Sequence, residues 1–302
     1  MKTGKKNTNW KKLVAVLMAL VTMFAMAGCG SSSDSGDDSS ESAETLKVAI
    51  SPDFAPMEFV DTSKSGQDQY VGFDVTLAKY IAENMGMELE ILPMDFSACQ
   101  AAVQSGKADI SISGYSYTEE RAENFELSDY YYAGDNETKQ TIIVNKENEG
   151  KFSTADDFAG LTVGAQTASL QMNFCTSQLP DTVTIKEFSD LGTAVEALRS
   201  GNIDAVAVAE GNAKAIMANN DEVALSGFYF EVAAEEENNV ILIQKGNTEL
   251  LEQVNAILAQ AYEQGLYSGW YTDAQELAGI DTAAEISYDE EGNEITDESS
   301  EG

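Results

Sequence analysis

Gly72-Phe73-Asp74-Val75-Thr76-Leu77-Ala78-Lys79-Tyr80-Ile81-Ala82 is followed downstream by Gln104-Ser105-Gly106-Lys107-Ala108-Asp109-Ile110-Ser111-Ile112-Ser113-Gly114-Tyr115-Ser116-Tyr117-Thr118-Glu119-Glu120-Arg121. In the first stretch Val75, Leu77, Ala78, Ile81 and Ala82, continuing to Met85, repeat at the spacing of one helix face, and in the second a short apolar run around Ile110 has strand character. Helix gives way to strand, and a lone arginine, Arg121, stands just past the strand end. Asp74 is placed to cap the helix by accepting from its free backbone N–H groups.

Working outward, residues 46–50 and 88–92 form further apolar runs, and residues 98–105 read as a helix stopped by Gly106. Strand, helix, strand, helix, strand is the order of a parallel sheet with covering helices. The pattern restarts after Tyr132, with strands expected at 141–144, 161–165, 182–188 and 205–208 and helices at 153–158, 169–176, 191–199 and 211–217. A strand at 239–244 and an amphipathic helix at 249–264 follow. The expected fold is α/β in two lobes, each a mainly parallel sheet flanked by helices. Lobe 1 comprises 45–132 with 239–275 and lobe 2 comprises 138–233, with hinges at 132–138 and 234–238. Two lobes joined twice make a cleft, and ligands of open α/β sheets sit at the C-terminal strand ends.

The 302 residues carry 17 basic and 52 acidic side chains, a formal charge of −35, so phosphate backbones are repelled and nucleic acid is excluded as a partner. There is no histidine, which removes imidazole bases, histidine metal ligands and imidazole-dependent triads. Nor is there a glycine-rich phosphate loop, a Cys-x-x-Cys pair or a calcium-loop pattern, so recognition is favoured over turnover and no cofactor or metal is expected. Cys99 and Cys175 fall on separate expected helices. An exported location permits a bridge between them, but two buried free thiols are the favoured reading.

The N-terminus has lysines at 2, 5, 6, 11 and 12, an apolar run over 13–27, and Met26-Ala27-Gly28-Cys29. This reads as a secretory signal over 1–28. Cys29 after two small residues resembles the lipobox of bacterial lipoproteins, which implies lipidation of Cys29, whereas a plain membrane anchor would leave that cysteine without a role. Residues 29–44, mostly Ser, Gly, Asp and Glu, read as a flexible tether, and the acidic tail 276–302 as largely disordered. The expected location is extracytoplasmic, with a lipid holding the chain to the cell membrane.

A guanidinium held at a strand end can grip a carboxylate through two parallel charge-assisted bonds, and Arg121 can equally pair with a neighbouring acid on the surface. Ser116 and the Gly114 backbone can complete an acceptor set for a ligand amine or carboxylate. Ser169 heads an expected helix, either as an anion-binding N-terminus or as an ordinary N-cap. Phe54 and Phe96 come from loops expected at the cleft, as walls for a small ligand or as core.

Taken together these stretches resemble the polar amino-acid binding proteins of bacterial ABC importers, which have the type 2 periplasmic-binding fold. The resemblance covers about 45–275 and rests on several motifs. They are the aromatic-x-Pro-x-Glu-Phe element at Phe54, Pro56, Glu58 and Phe59, Gly72-Phe73-Asp74-Val75, Gln104-Ser105-Gly106-Lys107-Ala108-Asp109, Thr118 with Arg121, Ser128-Asp129 with Tyr131, Asp204-Ala205-Val206, and Lys245-Gly246-Asn247. Pro93-Met94-Asp95-Phe96-Ser97 is most similar to glutamine-binding members. The resemblance implies that Arg121 holds the ligand α-carboxylate with support from Ser169, that Phe54 and Phe96 wall the side chain, and that Gly114 and Ser116 help hold the α-amino group.

Two positions depart from the family pattern. Ala209 stands where the family places an aspartate against the ligand ammonium, with Glu210 one place later; either Glu210 bends in, or the ammonium is held differently. Ser51 stands where glutamine-binding relatives carry an aspartate. The resemblance implies a receptor for a small polar amino acid, glutamine-like or cystine, that serves ABC permease subunits and is not an enzyme; a monomer is expected, since the sequence shows no extra apolar helix seeking a partner. The alternatives are a dehydratase-like enzyme on the same scaffold and a sensory lipoprotein.

Overall fold

The structure, a computed structural model, describes residues 44–132 and 139–280 and the backbone of 287–288 and 294–295. The signal segment, Cys29, nearly all of the tether, residues 133–138 of the first link and most of the acidic tail lie outside the described residues.

The strands are β1 (Thr45–Ile50), β2 (Asp53–Phe54), β3 (Glu58–Val60), β4 (Tyr70–Val71), β5 (Glu88–Pro93), β6 (Ile110–Ser116), β7 (Phe125–Leu127), β8 (Gln140–Asn145), β9 (Thr162–Gln166), β10 (Thr184–Phe188), β11 (Ala205–Ala209), β12 (Val223–Tyr229) and β13 (Asn239–Gln244). The α-helices are α1 (Phe73–Met85), α2 (Phe96–Gln104), α3 (Glu119–Asn124), α4 (Leu170–Gln178), α5 (Leu191–Arg199), α6 (Glu210–Asn219), α7 (Thr248–Glu263) and α8 (Leu266–Leu277).

One five-stranded sheet has the order β5-β1-β6-β13-β7, and a second has the order β10-β9-β11-β8-β12. In the first, β5, β1 and β6 run parallel and β13 is antiparallel to its neighbours. In the second, β10, β9 and β11 run parallel and β8 is antiparallel to its neighbours. The strands that enter each lobe from the other, β8 and β13, are thus the antiparallel ones. β11 is buried along its whole length and β13 at all but its last residue, as strands covered on both faces must be. The two-lobed α/β architecture expected from the sequence is the observed one.

The chain departs from the sequence reading in three places. Residues between β1 and α1, where no strand is expected, form a small three-stranded sheet, β2-β3-β4, which carries Phe54 at its edge. β7, β12, α3 and α8 are not expected from the sequence; α8 packs Tyr267, Trp270 and Tyr271 around Phe73, which accounts for its place in lobe 1. Asp74 is not the cap of α1. Gly72 occupies that position with φ 117°, where a Cβ would meet the Met57 carbonyl oxygen at 2.3 Å. Asp74 is fully buried instead, and its Oδ2 accepts from the Gly114 N–H at 2.8 Å and the Tyr131 hydroxyl at 3.1 Å. Cys99 and Cys175 are, as the sequence reading favours, free and buried thiols, in the cores of different lobes.

Candidate functional site

The ends of β6 and β9, with β2, meet across the two lobes around a narrow cavity of about 20 Å³. Phe54, Phe96, Gly114, Ser116, Arg121 and Ser169 all line it, and so do Ser113, Gln166, Leu170 and Gln171. Six of the seven ligand-site residues expected from the sequence are thus brought together.

Arg121 lies in the first turn of α3, where the Thr118 side chain caps the helix by accepting from the Arg121 N–H at 3.1 Å. It is buried rather than on the surface. Nη1 donates to the Ser116 carbonyl at 2.6 Å and Nη2 reaches the Ala168 carbonyl of the other lobe at 3.2 Å. The guanidinium carbon stands 5.2 Å from the Tyr115 ring centroid and 5.8 Å from that of Phe96. Aromatic faces and carbonyls on several sides fix the plane of the fork, which is the condition for presenting it to a planar anion. Among the described residues that line the cavity, Arg121 carries the one charged side chain.

Across the cleft, Ser169 is the N-cap of α4 and accepts from the Met172 N–H at 3.1 Å, so it caps the helix and lines the cavity at once. Ala168 before it takes φ 63°, a left-handed turn that aims its carbonyl at Arg121. Gln171 Nε2 donates to Gln140 Oε1 at 2.7 Å, and Gln140 pairs in register with Ala209. A pair of carboxamides therefore sits beside the position where the family's aspartate is replaced. Gln166 and Gln171 carry no charge or periodic signal and escape a reading of the sequence; only their place at a strand end and in the first turn of a helix could have marked them.

Glu210 is not brought into the cavity. As the first residue of α6 it turns toward the sheet edge, where its carboxylate accepts from the Tyr229 hydroxyl at 3.2 Å and lies 3.6 Å from Lys139 Nζ. The expectation that Glu210 bends in to replace the missing aspartate is therefore corrected. One step along the chain at a helix start rotates the side chain by about 100°.

Behind Ser113 and Gly114 lies a buried carboxyl pair. Ser113 Oγ donates to Glu58 Oε1 and Gly114 N–H donates to Asp74 Oδ2, while the other oxygen of each carboxyl, Glu58 Oε2 and Asp74 Oδ1, is buried without a hydrogen-bond partner. Burial pushes Asp74 up to about 6, against the Gly114 and Tyr131 hydrogen bonds that favour its charge. Burial raises Glu58 well above the ordinary carboxylate range, reinforced by the charge of Asp74.

Two mixed α/β lobes closing on a small polar cavity at their strand ends make the architecture that of a type 2 periplasmic-binding protein. The chain belongs to the bacterial extracellular solute-binding proteins, family 3, whose family model matches residues 46–273. It is 32% identical over 270 residues to the arginine-binding extracellular protein ArtP of Bacillus subtilis, covering 87% of this chain and 98% of ArtP. A Streptococcus pneumoniae amino-acid ABC transporter substrate-binding protein, AbpA, bound to L-arginine, superposes with a TM-score of 0.70 at 35% identity, covering 78% of this chain and 96% of that one. An ancestral arginine-binding protein bound to glutamine gives a TM-score of 0.68 at 34% identity, over 78% and 98% of the two chains. Family and fold are those of non-catalytic, extracytoplasmic solute-binding proteins.

Proposed function

We propose that this protein is a lipid-anchored extracytoplasmic receptor that binds a small polar amino acid and delivers it to the permease subunits of an ABC importer. Arg121 takes the ligand α-carboxylate with Ser169 beside it, Phe54 and Phe96 flank the side chain, and Gly114 and Ser116 hold the amino group. The single observation that carries this reading is a buried guanidinium fixed between two lobes in a cavity with no other lining charge among the described residues. Relatives named for arginine and a solved neighbour bound to glutamine support a polar amino acid as the ligand class. Lipidation of Cys29 rests on the Met26-Ala27-Gly28-Cys29 run. Lobe 1 binds first and closure against lobe 2 about the two links buries the ligand, the closed state being favoured only as far as ligand touches both lobes.

The test is a thermal-shift panel of all proteinogenic amino acids, cystine and small carboxylates on the domain from residue 44 onward, followed by calorimetry on any hit. A ligand that binds only the native state raises apparent stability. A strong shift from a polar amino acid is expected; silence across every amino acid with a response to a carboxylate lacking the amine overturns the reading.

A further inference from the structure

The Gln166 side chain has its polarity forced on it. Its Nε2 lies 3.1 Å from Asp53 Oδ2 and 3.4 Å from the Ser189 carbonyl oxygen. A carboxylate and a peptide carbonyl accept and cannot donate, so the atom facing both must be the NH2, and both its hydrogens are used there. Asp53 cannot turn away: Oδ1 accepts from Ser51 Oγ at 2.9 Å, and Oδ2 also accepts from the Leu191 N–H at 2.6 Å. Gln166 lines the cavity while Asp53 does not, so what Gln166 retains for a bound molecule is its Oε1, an acceptor. On the same wall Gln171 has given one amide hydrogen to Gln140.

We propose that Asp53 is a specificity-determining positioning residue, locking Gln166 as a hydrogen-bond acceptor so that the site selects amino acids whose side chains end in donors. Those ends are a carboxamide NH2, a guanidinium or an ammonium. This rests on the amino-acid receptor reading above and narrows it. A ligand ending in a carboxylate brings acceptor against acceptor, with the Asp53 carboxylate behind, and leaves buried polar groups unpaired; sites built on a hydrogen-bond match reject such analogues strongly. Ser51, standing where glutamine-binding relatives carry an aspartate, serves here to hold Asp53.

The experiment is calorimetric titration of the wild-type domain, Asp53→Ala and Gln166→Leu with four ligands: L-glutamine and L-arginine, whose side chains end in donors, and L-glutamate and L-2-aminoadipate, whose side chains end in acceptors. The wild type is expected to bind at least one donor ligand about thirtyfold or more tighter than either acceptor ligand. Asp53→Ala removes the carboxylate and leaves the Ser189 carbonyl at 3.4 Å to orient the Gln166 amide, which can then turn over, so the preference in that variant is expected to fall by about tenfold. Gln166→Leu keeps the Asp53 contacts to Ser51 and Leu191 and is expected to lose the preference as well, which provides the reading if Asp53→Ala does not fold. Binding of an acceptor ligand by the wild type as tightly as its better donor ligand overturns the inference while leaving the receptor reading intact. Absence of binding by every amino acid, while a carboxylate lacking the amine binds, overturns both. A uniform loss of affinity in Asp53→Ala, with the preference unchanged, shows Asp53 to be a lobe contact only and also overturns it.

Discussion

At the scale of single residues, Arg121 combines two properties that rarely coincide in an arginine: burial and a fixed plane. Among its partners are the carbonyls of Ser116 and Ala168, one from each lobe, which orient the guanidinium. We expect Arg121→Ala to weaken amino-acid binding more than tenfold, about 1.4 kcal/mol or more, as measured by calorimetry. Arg121→Lys should recover only part of the loss, because an ammonium lacks the fork. An unchanged dissociation constant in Arg121→Ala would place the carboxylate elsewhere. Residues of this kind are legible in a sequence because a lone arginine just beyond an apolar strand stands out. Gln166 and Gln171 are not legible, since nothing in a glutamine's local pattern distinguishes a wall of a cavity from a solvent face. Asp74 was legible as important and misread in role: an acid after Gly72-Phe73 looks like a cap, and only the tertiary approach of Gly114 shows what it serves.

At the scale of elements, β3, α1 and β6 are joined by that acid. Glu58 comes from β3, Asp74 from α1, and their carboxyls hold Ser113 and Gly114 of β6. An acid whose pKa is raised by folding binds more protons folded than unfolded, so its stabilisation is full below the ordinary carboxylate range and is lost as pH rises through the folded value. For Asp74 that window runs from 3.8 to about 6, and Glu58, raised well above 4.5, extends the loss to higher pH. Denaturant unfolding of the wild type should therefore show stability falling with rising pH across this range, by on the order of 1–3 kcal/mol. Glu58→Gln, which keeps an oxygen for Ser113 and offers Asp74 a permanent donor, should flatten the profile; an equally steep fall in that variant would assign the effect to other groups. The helix and strand alternation around these elements follows from apolar spacing. β2, β3, β4 and β12 could not be read in the same way, because they are short or end lobes and are held by pairing with distant strands rather than by their own pattern.

At the scale of the whole molecule, the lobes touch away from the cavity as well as around it. Asn212, in α6 of lobe 2, donates from Nδ2 to the Ala55 carbonyl of lobe 1 at 3.1 Å, and it does not line the cavity. A neutral hydrogen bond of this kind contributes about 1 kcal/mol net, which is about a fivefold change in an opening and closing equilibrium. Where ligand affinity depends on the closed population, that fraction multiplies every ligand's apparent constant alike. Asn212→Ala is therefore expected to weaken all amino-acid ligands by a similar factor of about five while leaving the ratio between donor-ended and acceptor-ended ligands unchanged. Small-angle scattering should show a larger radius of gyration for the variant without ligand and convergence with the wild type once ligand saturates it. A changed ligand ratio in Asn212→Ala would mean that this contact shapes the site rather than the closure. Unchanged affinity with unchanged scattering would mean that the lobes are held by the contacts around the cavity, those of Asp53 and Arg121 foremost.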